Sequence, residues 1–433
     1  MRVPKILATV TRVSKAALLA ALGITAKMPP GFLNPFERGM FRDQLFILKR
    51  AALYGPIFKV FWSKQLMICI VSNEIGRRFL KIHQEDLQGV SIDLSRLFQP
   101  GIIRNMEGQS HHNCKQHLVR IFNSEIIENH ESELSHFIAS QLQAFSSGQD
   151  LKVMLRQVVT GCMITLFFGT GRMSESFDKL VANYEKFGPT DLVWKLGIEQ
   201  TEAFEELRVQ AALLASTSGG SSADEKGRGY LQEAFKLGYM TEAVLGNLIY
   251  AVEMGRHDVA GLLRWVLKYL GENQNIIKDI RRELDKGNEG SAKSLIKTVV
   301  FETLRLDQSA ALIRKTTNEI IFDGLRIPAH SYIRICLWEA HKDADHFADP
   351  FEFRPSRFLN GLHGPDMFAP FGLDIHRCLG PDIIMGIASA FIAELIANYD
   401  LKTIADGPPV LTQTIWEVSP QFSIKLSGRN AID

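Results

Sequence analysis

Phe368-Ala369-Pro370-Phe371-Gly372-Leu373-Asp374-Ile375-His376-Arg377-Cys378-Leu379-Gly380 sets one cysteine in a turn of Phe, Gly, Asp and Gly. A long apolar run, Ile383 to Ile396, follows it. Pro370 and Gly372 interrupt regular structure, and Gly380 lets backbone pass close to something flat. His376 and Arg377 supply basic groups suited to holding a cysteine as thiolate or meeting an anion. With no cysteine partner close in sequence, the stretch is neither a zinc knuckle nor a disulfide clip. A lone thiolate in a glycine-bearing loop, with a helix leading away, is what haem iron takes on its proximal side.

The stretch resembles the cysteine-ligand loop of the cytochrome P450 family, F-x-x-G-x-H/R-x-C-x-G. Phe371, His376, Cys378 and Gly380 match it, and Asp374 stands where the family has its second glycine. Asp accepts left-handed backbone more readily than most residues, so the loop is expected to keep its turn. The resemblance implies that Cys378 is the axial ligand of a haem iron, with Phe371, His376 and Gly380 around the cofactor.

Composition sets the frame. The chain has 433 residues, 46% hydrophobic and 22% charged, enough for a sizeable core. A net charge of +1 gives no support for nucleic-acid binding. The five cysteines are scattered and odd in number, which fits a reducing compartment and argues against a disulfide framework. Residues 1–30 form a basic apolar segment, with Arg2, Lys5, Arg12 and Lys15 ahead of Ala16–Ile24. Its apolar run falls short of the ~20 residues of a bilayer span. It reads either as a helix lying on a membrane surface through residues 1–27 or as an ordinary packed or frayed helix.

Along the chain, Tyr54 to Ser72 reads as a two-stranded hairpin, and Asn73 as the cap of a helix through Ile82. Residues 88–107 show no period and read as a long loop. Ser110 is placed to cap a helix that shows His111 and Lys115 on one face. Three histidines within residues 111–117 suggest either a metal site, which lacks an acidic member, or a solvated helix face. In the family an H-x-x-x-R pair here reaches the haem propionates. His111 matches the histidine, and Lys115 keeps the arginine's charge without its fork. Residues 123–213 look mostly helical, 215–229 is a flexible connector, and Leu411 to Leu426 looks like a final hairpin.

Thr241 to Gly271 reads as one long helix whose centre carries charged residues among apolar ones. Buried charge is expensive unless paired or functional. In the family this helix crosses the distal side of the haem with an A/G-G-x-D/E-T motif. Gly255 matches the glycine, His257 takes the acid position and Asp258 the threonine position. The family's acid–alcohol pair delivers protons during dioxygen activation. His257 and Asp258 are expected to relay protons in its place, or else mark a changed reaction. Arg256 either binds a substrate carboxylate or forms a structural ion pair with Glu253 or Asp258.

Glu302 and Arg305 lie three apart on a helix, a spacing that usually means a weak surface pair. The family has an E-x-x-R helix here, and an arginine from a P-x-R-F segment completes its triad. Arg357 in Pro355-Ser356-Arg357-Phe358 supplies that arginine. Asp323-Gly324 is a turn signal between two short strands. Arg314 matches a propionate-binding position, and Ser309, Ala310 and Ala311 begin a stretch that is expected to border the substrate.

The resemblance, from about residue 45 to 426, implies a mainly α fold with small β-sheets, the cytochrome P450 fold, as a single domain over 31–433. It implies a haem-thiolate monooxygenase that inserts one oxygen atom from dioxygen into an apolar organic substrate. The cofactor would be haem b (iron protoporphyrin IX), with electrons from NAD(P)H through a ferredoxin or reductase. The N-terminal segment and the histidine-type propionate pair look bacterial in type. A monomer is expected, cytoplasmic or associated with a membrane. Two alternatives stand beside this reading: a peroxide-using, rearranging or coupling enzyme without reductase, and a non-catalytic haem-binding protein.

Overall fold

A computed structural model describes residues 14, 18, 26–32, 39, 42–62, 65–90, 94, 97–98, 101–146, 150–171, 174–188, 196–217, 227–308, 311–361, 363–412 and 415–429. Most of the N-terminal segment, much of the 215–229 connector and both Ser309 and Ala310 lie outside them.

Helices dominate. In chain order the main ones are α1 (Phe46–Tyr54), α2 (Asn73–Ile82), α3 (Gly108–Ile121), α4 (Glu131–Ser146), α5 (Leu151–Phe168), α6 (Glu175–Phe187), α7 (Ile198–Thr217), α8 (Glu242–Glu272), α9 (Glu289–Thr303) and α10 (Pro381–Asn398). The expected hairpin is β1 (Ile57–Trp62) and β2 (Gln65–Ile70), paired antiparallel from Ile57 opposite Ile70 to Trp62 opposite Gln65. It joins β3 (Leu87–Gly89), β4 (Leu312–Thr316) and β7 (Tyr332–Ile335) in a sheet of order β1-β2-β7-β4-β3. β5 (Ile320–Phe322) and β6 (Leu325–Ile327) turn at Asp323 and Gly324, both at positive φ (48° and 71°). That pair of left-handed residues is what a tight hairpin turn demands.

Several boundaries differ from the sequence reading. Ser72, not Asn73, caps α2, because its hydroxyl accepts from Ile75 N at 3.2 Å. The helix of His111 starts at Gly108 with no side-chain cap, so Ser110 lies inside it. The C-terminal stretch is two pairings rather than one hairpin. β9 (Val410–Thr412) pairs with β10 (Ile415–Glu417), while β11 (Ser423–Gly428) returns to β8 (Tyr399–Ala405).

α8 organises the helical core. Thr241 caps it by accepting from Val244 N at 3.2 Å, and its 31 residues span about 46 Å. It crosses α5 at Gly255, where a Cβ would stand 2.4 Å from the Met163 methyl. α5 and α10 are long and apolar enough to cross a membrane by length and composition. Both pack here: α5 is buried nearly throughout, and α10 buries Ile383, Ile387, Phe391, Ile392 and Leu395.

The Glu302–Arg305 pair is not a surface pair. Both side chains are fully buried, and Arg357 donates from Nε to Glu302 Oε1 at 2.9 Å. Arg305 also donates to the carbonyls of His341, Pro350 and Glu352, so one guanidinium ties α9 to the loop leading toward the cysteine.

Candidate active site

The cysteine loop forms by short backbone contacts. Gly372 and Asp374 both have positive φ, 85° and 65°, so Asp374 adopts the left-handed conformation expected of it. Cys378 N donates to Phe371 O at 2.8 Å and Arg377 N to Asp374 O at 3.1 Å, closing the turn. Gly380 N donates to Cys378 Sγ at 3.4 Å, and Pro381 opens α10 immediately afterwards. The thiol therefore sits at a helix N-terminus, where the dipole favours a thiolate. Burial outweighs this and pushes the Cys378 pKa above its ordinary value.

Cys378 opens onto a cavity of about 380 Å³. One wall is a stripe of α8 at three-to-four spacing: Asn247, Tyr250 and Ala251, Met254 and Gly255, Asp258 and Val259, Leu262. Leu304, Ala311 and Leu312 add apolar surface, and Phe371, Gly372, Ile375, Leu379 and Gly380 form the loop side.

Basic side chains crowd one edge. His111 and Lys115, one turn apart on α3, meet His376 and Arg314 there. The His111 and His376 rings lie 4.5 Å apart, and Lys115 Nζ donates to Ile375 O. Burial, then the neighbouring Arg314, His111 and Lys115 charges, drive the His376 pKa down to about 3. Burial and Arg104 lower Arg314 to about 10, partly offset by Asp374 and Glu107. Burial, Lys115 and Arg314 lower His111 too. Such a cluster calls for an anion. A flat, apolar macrocycle with two carboxylates and a thiol-seeking iron meets each of these demands, so the residues fit iron protoporphyrin IX.

Not every expected residue reaches the cavity. Arg256 lies away from it, fully buried. It donates to Glu253 Oε2 at 2.7 Å, Glu185 Oε1 at 3.1 Å, Tyr184 O at 2.8 Å and Gly188 O. The structural ion pair is therefore the correct reading, and the substrate carboxylate is not. His257 is also turned aside, with Nε2 3.6 Å from Glu253 Oε1, while Asp258 faces the cavity. Burial raises the Asp258 pKa, against the lowering charges of Arg104 and His257. The helix rotation of about 100° per residue separates these neighbours onto different faces.

The three histidines of α3 do not converge. His111 faces the cavity, His112 contacts Gln116 at 2.9 Å, and His117 stacks on Tyr239. Among the described residues no group of three or more His, Cys, Asp or Glu is placed to hold a metal ion. Among the cavity residues that escaped the sequence reading are the polar Arg104, Asn247 and Tyr250. Tyr250 carried a signal, since it lies eight residues, or two turns, before Asp258.

Comparison with known proteins agrees with this geometry. The family model described as Cytochrome P450 matches residues 255–425. Abscisic acid 8'-hydroxylase 1 of Arabidopsis thaliana is 25% identical over 380 residues, covering 83% of this chain and 75% of that protein. Flavonoid-6-hydroxylase of Ocimum basilicum is 30% identical over 193 residues, covering 41% of this chain and 36% of that one. Among solved structures, a cyanobacterial protein, CYP120A1 with retinoic acid bound, superposes with a TM-score of 0.73 at 19% identity. That match covers 94% of this chain and all of the other. A zebra fish cytochrome P450 with abiraterone gives 0.70 at 16% identity, over 89% of this chain and 99% of the other. The buried triad, the cysteine loop and these likenesses together make the chain similar to the cytochrome P450s in sequence over residues 255–425 and in fold over nearly its whole length.

Proposed function

We propose that the chain hydroxylates an apolar organic substrate, using haem b held by Cys378 and electrons delivered from NAD(P)H by a ferredoxin or reductase. The observation that carries this reading is the thiol of Cys378 opening into an apolar cavity beside the His111, Lys115, Arg314 and His376 cluster. When bound, the haem supplies dioxygen activation and transfer of one oxygen atom to a C–H bond.

The chain's own groups then have separate tasks. Arg314, His111 and His376 meet the propionates, and Lys115 fixes the loop through Ile375 O. The apolar stripe of α8, with Ala311 and Leu312, excludes water and holds hydrocarbon. Asp258, whose carboxyl retains its proton to higher pH than an ordinary Asp, donates that proton into the cavity. Glu302, Arg305 and Arg357 keep the loop side rigid. The relatives named for 8'- and 6-hydroxylation agree with C–H hydroxylation as the reaction type. We take residues 31–433 as one domain that works as a monomer in the cytoplasm, with residues 1–27 as the part suited to a membrane surface.

The test is the absorption spectrum of the ferrous carbon monoxide complex. Wild type should show the red-shifted Soret band of thiolate ligation, and Cys378→Ala should lose it. A band of the same position in both proteins would sink the reading. A second reading, use of peroxide without a reductase, is favoured by His257 pointing away from the cavity at the acid position. Turnover that depends strictly on an electron donor, with none from hydrogen peroxide, would exclude it.

A further inference from the structure

Tyr269 directs its phenol proton at a buried carboxylate. It lies on α8, and its hydroxyl donates to Asp307 Oδ2 in the π-helical turn Leu304–Gln308 that follows α9. Gln44 Nε2 donates to the other oxygen, Oδ1, at 3.1 Å. Burial raises the Asp307 pKa, against the Lys342 charge and the hydrogen bonds of Tyr269, Gln44 and Trp338. The carboxylate is thereby a stronger proton acceptor than an ordinary Asp. Burial first, then Asp307, hold the Tyr269 pKa well above the usual phenol value, so the phenol keeps its proton at rest.

The Tyr269 ring packs flat against two others. The Trp265 ring lies 5.8 Å away at 22°, and the Phe353 ring 4.5 Å away at 3°. Leu262 is on the cavity wall, Trp265 follows it by three residues, and Tyr269 follows Trp265 by four. One face of α8 thus leads from the cavity through an indole to the phenol. Trp265 Nε1 is buried without a partner, so an oxidised indole there has no acceptor for its proton. The other tyrosines lack a carboxylate acceptor as well. Tyr184 and Tyr230 donate to the carbonyls of Ile249 and Asn123. Tyr54, Tyr239 and Tyr250 meet Arg50, Arg120 and Arg104, which take up no proton.

We propose that Tyr269 is a redox-active tyrosine, which draws one oxidising equivalent out of the haem cavity through Trp265 when hydrogen peroxide is present and no substrate is bound. Tyr269 gives up one electron, its O–H bond breaks, and the proton forms an O–H bond on Asp307 Oδ2, leaving a neutral phenoxyl radical. Each hydrogen peroxide takes two electrons as its O–O bond breaks and both oxygens reach the level of water. One electron comes from the haem and the other from Tyr269. This rests on the haem-thiolate reading above.

Freeze-quenched electron paramagnetic resonance tests it, on the substrate-free, haem-loaded ferric protein mixed with hydrogen peroxide. Wild type should give an organic radical whose hyperfine structure collapses when the protein carries ring-deuterated tyrosine. Tyr269→Phe should lose that signal and bleach its haem faster, because the oxidising equivalent stays in the cavity. Asp307→Asn keeps the phenol but removes the proton acceptor, and it should lower the radical yield, as should Trp265→Phe. Tyr250→Phe removes a phenol that lines the cavity and should leave the signal in place. No tyrosyl signal in wild type, or an undiminished one in Tyr269→Phe or in Asp307→Asn, would overturn the inference. The carbon monoxide spectrum separates the two levels. A wild type with the thiolate band and no tyrosyl radical removes this inference alone, whereas a wild type lacking the band removes the haem-thiolate reading itself.

Discussion

Glu302 and Arg305 meet at two points, Oε2 to Nε at 2.7 Å and Oε1 to Nη2 at 2.9 Å, with neither side chain exposed to solvent. Arg357 and Arg354 N both share Glu302 Oε1, at 2.9 and 2.8 Å. Removing the carboxylate leaves a buried guanidinium without its partner, which costs about 4 kcal/mol. Glu302→Ala is therefore expected to lower stability by that amount and cut the yield of haem-loaded protein. Arg305→Lys should be nearly as harmful, because an ammonium cannot reach the carboxylate and three carbonyls at once. Urea unfolding of the two variants checks both. A loss below ~1 kcal/mol would contradict the buried geometry.

The cysteine loop is held from outside by a histidine. Ala369 N donates to His341 Nε2 at 2.9 Å, so that nitrogen must stay unprotonated. Burial first, then the Lys342 and Arg305 charges, put the His341 pKa well below the usual histidine range. The unfolded chain therefore binds more protons than the folded one below pH ~6.5. Stability from this group is complete above that pH and is lost as pH falls toward the folded pKa. The slope approaches ~1.4 kcal/mol per pH unit. His341→Gln removes the titration, and the difference from wild type isolates it from His111, His363 and His376, which shift in the same direction. Melting temperatures between pH 8 and pH 5 should converge between the two proteins as the pH falls.

Asp374 pays a backbone cost that a glycine there would avoid. Its φ of 65° is left-handed, where a side chain costs about 1–2 kcal/mol and glycine almost none. Its charge, however, supports both Lys115 and Arg314. Among variants at this position Asp374→Gly should melt highest and Asp374→Ala lowest, separated by ~1 kcal/mol. Asp374→Asn, which tolerates the conformation, should fall between them. Thermal unfolding of the three proteins decides this, and an Ala variant as stable as Gly would show that the loop relaxes.

Much of this site was legible where chemistry and spacing act locally. The cysteine loop, the Asp323–Gly324 turn and the β1–β2 hairpin follow from turn residues and alternation, and each forms as read. The Glu302–Arg305 spacing was legible too, but spacing cannot report burial. The E-x-x-R resemblance, not periodicity, pointed to the buried triad. Arg104 was not readable, because residues 88–107 carry no period and its position depends on Asn247, more than 140 residues away. Adjacent polar residues of α8 were grouped by sequence, although a helix turns each one to a different face. That is why Arg256 pairs with Glu253 and Glu185 while Asp258 meets the cavity.

The same divergence of faces separates His257 from Asp258 functionally. Asp258 lines the cavity with a carboxyl whose pKa is raised by burial, so it carries a proton at pH values where an ordinary Asp has lost it. His257 instead approaches Glu253, within the Arg256 cluster that grips the end of α6 at Gly188. Asp258→Asn keeps the shape and hydrogen-bonding reach but has no proton to give. It should lower product formed per electron consumed about 100-fold, the lower end of a general-acid contribution. His257→Ala should lower it far less, within a few-fold of wild type. Both variants should retain the thiolate carbon monoxide spectrum, which shows that the cofactor is held. Wild-type turnover should decline as pH rises through the raised Asp258 pKa, since the acid form is the active one, and Asp258→Asn should lack that decline. Equal turnover in Asp258→Asn and wild type would remove the proton-donor role and leave Asp258 as a polar wall of the cavity.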